Sequence, residues 1–172
     1  MTLCDIPLID SETIQRRVSD LAREINNDYA GKELVLAIVL KGALVFAVDL
    51  MRQLRVPVTV ELVHATSYSG TQSSGQMNIS LWPERSLHGQ HIILVEDILD
   101  TGLTASTLFE RLLAIQPASL KLCSLLDKPS HRAHPVSADY VGFVIDDEFV
   151  VGYGLDYEQA YRHLPAIYVL QP

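Results

Sequence analysis

The chain has little cysteine, few aromatics and no long apolar run. Two of its 172 residues are cysteine: Cys4 near the N-terminus, and Cys123 inside the apolar stretch 120–126. Two thiols build neither a disulfide framework nor a four-ligand zinc centre, and Cys123 reads as a small core residue. The longest apolar runs, 34–40 and 43–48, are separated by Lys41-Gly42. Both fall far short of the ~20 residues a membrane span requires. The first eleven residues carry Asp5 and Asp10 where a secretion signal would be positive, and no small-residue cleavage site follows an apolar stretch. A cytoplasmic protein without membrane contact is expected. Basic residues are outnumbered, 13 Lys and Arg against 21 Asp and Glu, a net charge of −8. Sequence-independent nucleic-acid binding needs clustered Lys and Arg, so a small ligand is the expected partner. A hydrophobic share of 48% with 20% charged residues excludes disorder, and the length suits one domain over residues 1–172.

Hydrophobic spacing then sets the order of elements. Ile14, Val18, Leu21 and Ile25 recur at helical steps between Ser11 and Tyr29, with Gly31 beyond as a stop. Residues 34–40, 91–95 and 120–126 are short apolar runs of the kind covered on both faces in a parallel sheet. Residues 43–53 and 104–113 read as helices. Residues 58–66 read as a strand, with 77–81 returning antiparallel beyond a Ser- and Gly-rich loop at 67–76. Further short strands are expected at 141–145, 149–151 and 167–170. Alternating strand and helix implies right-handed βαβ units, hence an α/β fold with an open, mostly parallel sheet and helices on both faces.

Ligands of such sheets bind at the carboxyl ends of the strands. There the chain places Glu96, Asp97 and Asp100, then Thr101, Gly102, Leu103 and Thr104 at a helix start. Free backbone N–H groups at that start suit a phosphate, with the two threonine hydroxyls adding hydrogen bonds. The carboxylates suit a sugar diol or a magnesium ion; an acidic loop with a threonine cap is the plain alternative. Gly70 and Gly75 have P-loop spacing, but Gln76-Met77 replaces the required Lys-Ser/Thr, and His131 and His134 fit no zinc-site spacing.

Residues 96–104 resemble the phosphoribosyl pyrophosphate signature of type I phosphoribosyltransferases, in the form carried by hypoxanthine-guanine phosphoribosyltransferases. Leu40-Lys41-Gly42, Ser67-Tyr68, residues 125–129 and residues 149–157 extend the resemblance over most of the chain. It implies a small hood region beside the sheet, and magnesium-dependent transfer of a phosphoribosyl group to hypoxanthine or guanine with release of pyrophosphate. It puts Glu96 and Asp97 on the ribose hydroxyls and near Mg2+, joined by Asp156 as a further metal ligand. Asp100 becomes the catalytic proton-transferring group beside the purine. The main chain of Thr101, Gly102, Leu103 and Thr104 holds the ribose phosphate; some members carry Lys where this chain has Leu103.

The same resemblance assigns pyrophosphate to Lys41, Gly42 and Arg162, often with a cis peptide before the lysine. Lys128 would donate to the exocyclic oxygen of the base, Phe149 would stack on its ring, and the main chain of Val150 would meet its Watson–Crick edge. Ser67 and Tyr68 would open a mobile lid over 67–76, and a homodimer or homotetramer is implied. Read from the residues alone, Arg162 equally suits a surface salt bridge, Lys128 an ion pair with Asp127, and Phe149 the core. Arg132 either lies near the phosphates or shares a solvated loop with His131 and His134, and the 67–76 segment could be an exposed hairpin. A xanthine-preferring enzyme is the nearest rival. An RNA-binding regulator on the same fold is the other, disfavoured by the net charge.

Overall fold

The computed structural model describes residues 2–67 and 77–171. Apart from the backbone of Ser67, the expected lid at 67–76, with Tyr68, lies outside them. In chain order the elements are β1 (Thr2–Leu3), α1 (Ser11–Asp28), β2 (Leu34–Val39), α2 (Leu44–Met51), β3 (Val58–Ser67), β4 (Met77–Leu81), β5 (His91–Leu99), α3 (Leu103–Ala114), β6 (Ser119–Asp127), a 3-10 turn η1 (Pro129–His131), β7 (Tyr140–Val144), β8 (Val150–Val151) and β9 (Tyr168–Gln171).

Local chemistry explains where α1 begins and ends. The Asp10 carboxylate accepts a hydrogen bond from the Thr13 amide at 2.7 Å, satisfying a donor left free at the helix start. Gly31, at φ +75°, takes the left-handed turn that follows. Between them Ile14, Val18, Leu21 and Ile25 form the buried stripe their spacing predicts.

The main sheet runs in the order β4-β3-β2-β5-β6-β7, with β3, β2, β5, β6 and β7 parallel and β4 antiparallel at one edge. Residues alternate between its faces as a pleated strand requires. Leu36, Ile38, Ile93, Val95, Cys123 and Leu125 pack under α1 and α2. Val35, Ala37, Val39, Ile92, Leu94 and Leu122 pack under α3. Cys123 is a core residue, as expected, and burial pushes its thiol up out of the reactive range. A second sheet, β1-β9-β8, forms the hood.

The structure departs from the sequence reading at three places. β5 does not stop at Val95. It continues to Leu99 because β6 also runs on, with Glu96 opposite Ser124 and Leu99 opposite Asp127. Glu96 and Asp97 are therefore strand residues, not members of an acidic loop. Phe149 lies just before β8, although its carbonyl still accepts from the Leu170 amide at 2.8 Å. The third departure is β1, two residues with no pattern to read, which pairs with β9. Among the described residues no helix is long and apolar enough to cross a membrane.

Candidate active site

Strand order reverses direction between β2 and β5, and an open α/β sheet leaves a crevice beyond the carboxyl ends of two such strands. A cavity of about 580 Å³ opens there. Lys41, Gly42, Glu96, Asp97, Asp100, Thr101, Gly102, Leu103, Thr104, Asp156 and Arg162 line it. One hollow thus collects residues from positions 41 to 162, and its volume suits a small organic ligand.

The turn after β2 is packed from both sides. A side chain on Gly42 would meet the Asp97 carboxylate at 1.5 Å, and one on Gly154 (φ +100°) would meet the Gly42 carbonyl at 2.2 Å. Only glycine at both positions lets the carboxylate, the turn and the hood come this close. The Leu40-Lys41 peptide is cis. The Lys41 ammonium reaches the Gln159 side-chain oxygen at 3.1 Å. Arg162 bonds the Asp156 carboxylate at 2.7 Å and the Gly154 carbonyl at 2.6 Å. Its ion pair is therefore inside the crevice, not on an outer surface.

Glu96 is 4% exposed. Burial first, and then repulsion from Asp97, raise its carboxyl well above the ordinary carboxylate range. Asp97 is pushed up to about 6, mainly by burial and against the opposing amide of Ile98, which donates to it at 3.0 Å. Two desolvated carboxylates from consecutive strand residues line the hollow, with Arg162 offsetting part of the penalty at Asp97. Among the described residues no group of three or more His, Cys, Asp or Glu side chains is arranged to hold a metal. The donor set fits a hard cation such as magnesium, which keeps waters and shares substrate oxygens while taking only one or two protein carboxylates.

The helix α3 starts at Gly102, whose φ of +85° turns the chain so that the first amides of the helix face the crevice. Across from it, the Thr101 carbonyl accepts from the amides of Ala133 and His134 at 2.9 and 3.0 Å. Arg132 does not share a solvated loop: its Cδ passes 3.0 Å from where a Cβ on Gly102 would stand. Its guanidinium is part-buried, bonded to the carbonyls of Leu99 and Val136 at 3.0 Å each and to the Asp127 carboxylate. It braces the end of β5 against β6.

That pairing leaves Lys128 without Asp127. Lys128 is only 6% exposed; its amide donates to Leu99 at 3.0 Å and its ammonium lies 3.9 Å from Asp147. Phe149, 47% exposed, is not core; it meets the Tyr157 ring edge-on at 5.9 Å between centroids. Lys128, Phe149 and the buried Val150 stand beside the crevice and are absent from the lining of its main hollow. The sequence reading missed Gln159, His64 and Thr66, which line the hollow, and Asp147. Single polar residues with no neighbours in the motif give no signal along the chain.

A parallel sheet that brings a helix start, carboxylates and two cations to one hollow is a framework suited to an anionic ligand. Comparison with known proteins narrows the class. The phosphoribosyl transferase domain family matches residues 8–158. The hypoxanthine-guanine phosphoribosyltransferase of Mycobacterium tuberculosis is 44% identical, the match covering 96% of this chain and 85% of that one. The hypoxanthine-guanine-xanthine phosphoribosyltransferase of Tritrichomonas foetus is 40% identical over 95% of this chain and 90% of that one. A crystal structure of a Bacillus anthracis hypoxanthine-guanine phosphoribosyltransferase superposes with a TM-score of 0.93 at 41% identity, covering 99% of this chain and all of that one. The chain belongs to the phosphoribosyl transferase domain family and is a phosphoribosyltransferase of the type I fold.

Proposed function

We propose that this enzyme transfers the phosphoribosyl group of phosphoribosyl pyrophosphate to hypoxanthine, guanine or both, giving IMP or GMP and pyrophosphate, with Mg2+ as cofactor. The observation that carries this reading is the meeting of Glu96, Asp97, the amides at 101–104, Lys41 and Arg162 in one hollow, with a buried lysine, Lys128, at its side.

In this reading the first amides of α3 and the hydroxyls of Thr101 and Thr104 hold the 5′-phosphate. Glu96 and Asp97 accept hydrogen bonds from the ribose hydroxyls. Lys41, the Gly42 backbone and Arg162 hold the pyrophosphate and stabilise its charge as it departs. Magnesium, when bound, supplies further neutralisation of the pyrophosphate oxygens; Glu96, Asp97 and Asp156 would hold it. Lys128 donates to the exocyclic oxygen of an oxopurine, a contact the amino group of adenine cannot accept. The exposed face of Phe149 stacks on the ring and the main chain of Val150 meets the edge of the base. Asp100 takes the proton lost from the purine ring as another ring nitrogen attacks the ribose carbon. Ser67 and Tyr68 contribute to binding the substrate and to excluding water from the reacting sugar.

The free thiols Cys4 and Cys123 fit a reducing, cytoplasmic setting. Exposed Val60, Leu62 and Leu81 on the β3-β4 side support assembly into a homodimer or homotetramer, checked by sedimentation. The deciding assay is pyrophosphate release from phosphoribosyl pyrophosphate and Mg2+ with hypoxanthine, guanine, xanthine and adenine in turn. Release with hypoxanthine or guanine supports the reading. A clear preference for xanthine or adenine, or no release with any base, overturns it.

A further inference from the structure

His131 ends the short turn η1, and its ring stands between two carboxylates. Nδ1 lies 3.1 Å from Asp100 Oδ1 and Nε2 lies 2.8 Å from Asp147 Oδ2. The other oxygen of Asp147 faces the Lys128 ammonium at 3.9 Å. Asp100 comes from the turn after β5 and Asp147 from the loop after β7. Arg132, next in the chain, turns away into Asp127. A neutral imidazole has one N–H donor and one acceptor, so it satisfies one carboxylate and opposes the other; the protonated ring donates to both. Asp100, His131 and Asp147 are each roughly half exposed, so this chain of contacts is too open to hold the fold together. What it does hold is direction.

We propose that His131 is a positioning residue for Asp100, clamped by Asp147 so that the carboxylate that takes the purine proton and the lysine that binds the exocyclic oxygen are set by one linked group. This rests on the functional reading above. Asp100 is left with one oxygen engaged by the ring and the other free to meet the base.

Steady-state kinetics on the full-length protein with the oxopurine that turns over best provide the test. His131→Ala is expected to lower kcat about tenfold, a part of the ~10²–10⁴-fold that a positioned base contributes, while the KM for phosphoribosyl pyrophosphate stays within about twofold. His131→Arg, a cation whose two donor edges can also bridge two carboxylates, restores most of the loss, and His131→Asn does not. In an Asp100→Asn background the further change His131→Ala alters kcat less than about twofold, because the ring acts through Asp100. A full additional loss in that background, or an unchanged kcat in His131→Ala, overturns the proposal. A readout independent of turnover is the ring ¹⁵N spectrum of His131. Asp100→Asn should move the Nδ1 signal and Asp147→Asn the Nε2 signal; a spectrum indifferent to both overturns the clamp. Failure of the wild-type protein to turn over any oxopurine, with both spectral shifts present, counts against the functional reading and not against the clamp.

Discussion

The two sides of the crevice are built by different means. On the side proposed for the sugar phosphate the groups are contiguous, Glu96 to Thr104, and much of the surface is backbone: the start of α3 and a glycine turn packed between Asp97 and Gly154. On the side proposed for the base they are side chains from separate segments, with Asp100, Lys128, His131 and Asp147 joined across more than forty residues of chain. The first side is rigid because substitutions collide with main chain or carboxylate. The second is adjustable, since Asp100, His131 and Asp147 are partly exposed and meet through single contacts, with Lys128 alone among them buried.

Four changes would break or sharpen this contrast. Asp100→Asn keeps the shape of the base side and removes the proton acceptor, so kcat should fall about 10²–10⁴-fold with the KM for both substrates little changed; stopped-flow turnover checks it. Gly42→Ala tests the rigid side. The added carbon overlaps the Asp97 carboxylate, so the turn must move, and displacement near 1 Å at a reacting site costs about 10²-fold in kcat/KM. Lys128→Ala removes one donor on the adjustable side and should raise the KM for hypoxanthine about tenfold, with the KM for phosphoribosyl pyrophosphate unchanged. The smallest effect is on stability. Asp97 has its pKa raised to about 6 from an ordinary 3.8. Its folded form is favoured while protonated, so this contribution is full below pH 4 and is lost as the pH rises through about 6. Glu96 acts in the same direction. Asp97→Asn should therefore raise the melting temperature of the ligand-free protein at pH 7.5 by a few degrees and flatten its decline between pH 4 and pH 6; scanning calorimetry over that range is the check.

The same contrast governs how far the molecule could be read from its residues. The sheet was legible because its central strands are largely apolar, β2 without a break, and α1 because its stripe repeats at helical steps with Asp10 and Gly31 at its ends. The stretch 96–104 on the wall of the hollow was legible because its groups are neighbours in sequence. The length of β5 was not, since acidic residues disguise a strand that pairing with β6 sustains. Arg132 went to Asp127 and to carbonyls and not to solvent, because a part-buried guanidinium seeks the nearest carboxylate and carbonyls, a choice made by the fold. His131 and Asp147 had no local signal at all. Their partnership exists only once β5, η1 and the β7-β8 loop converge.

The carbonyl of Thr101 is gripped by the amides of Ala133 and His134. The loop proposed to receive the sugar phosphate is thus tied to the segment leading from Lys128. If a ligand on one flank restrains the other through this tie, thermodynamic reciprocity requires that each changes the other's affinity by an identical factor, whichever arrives first.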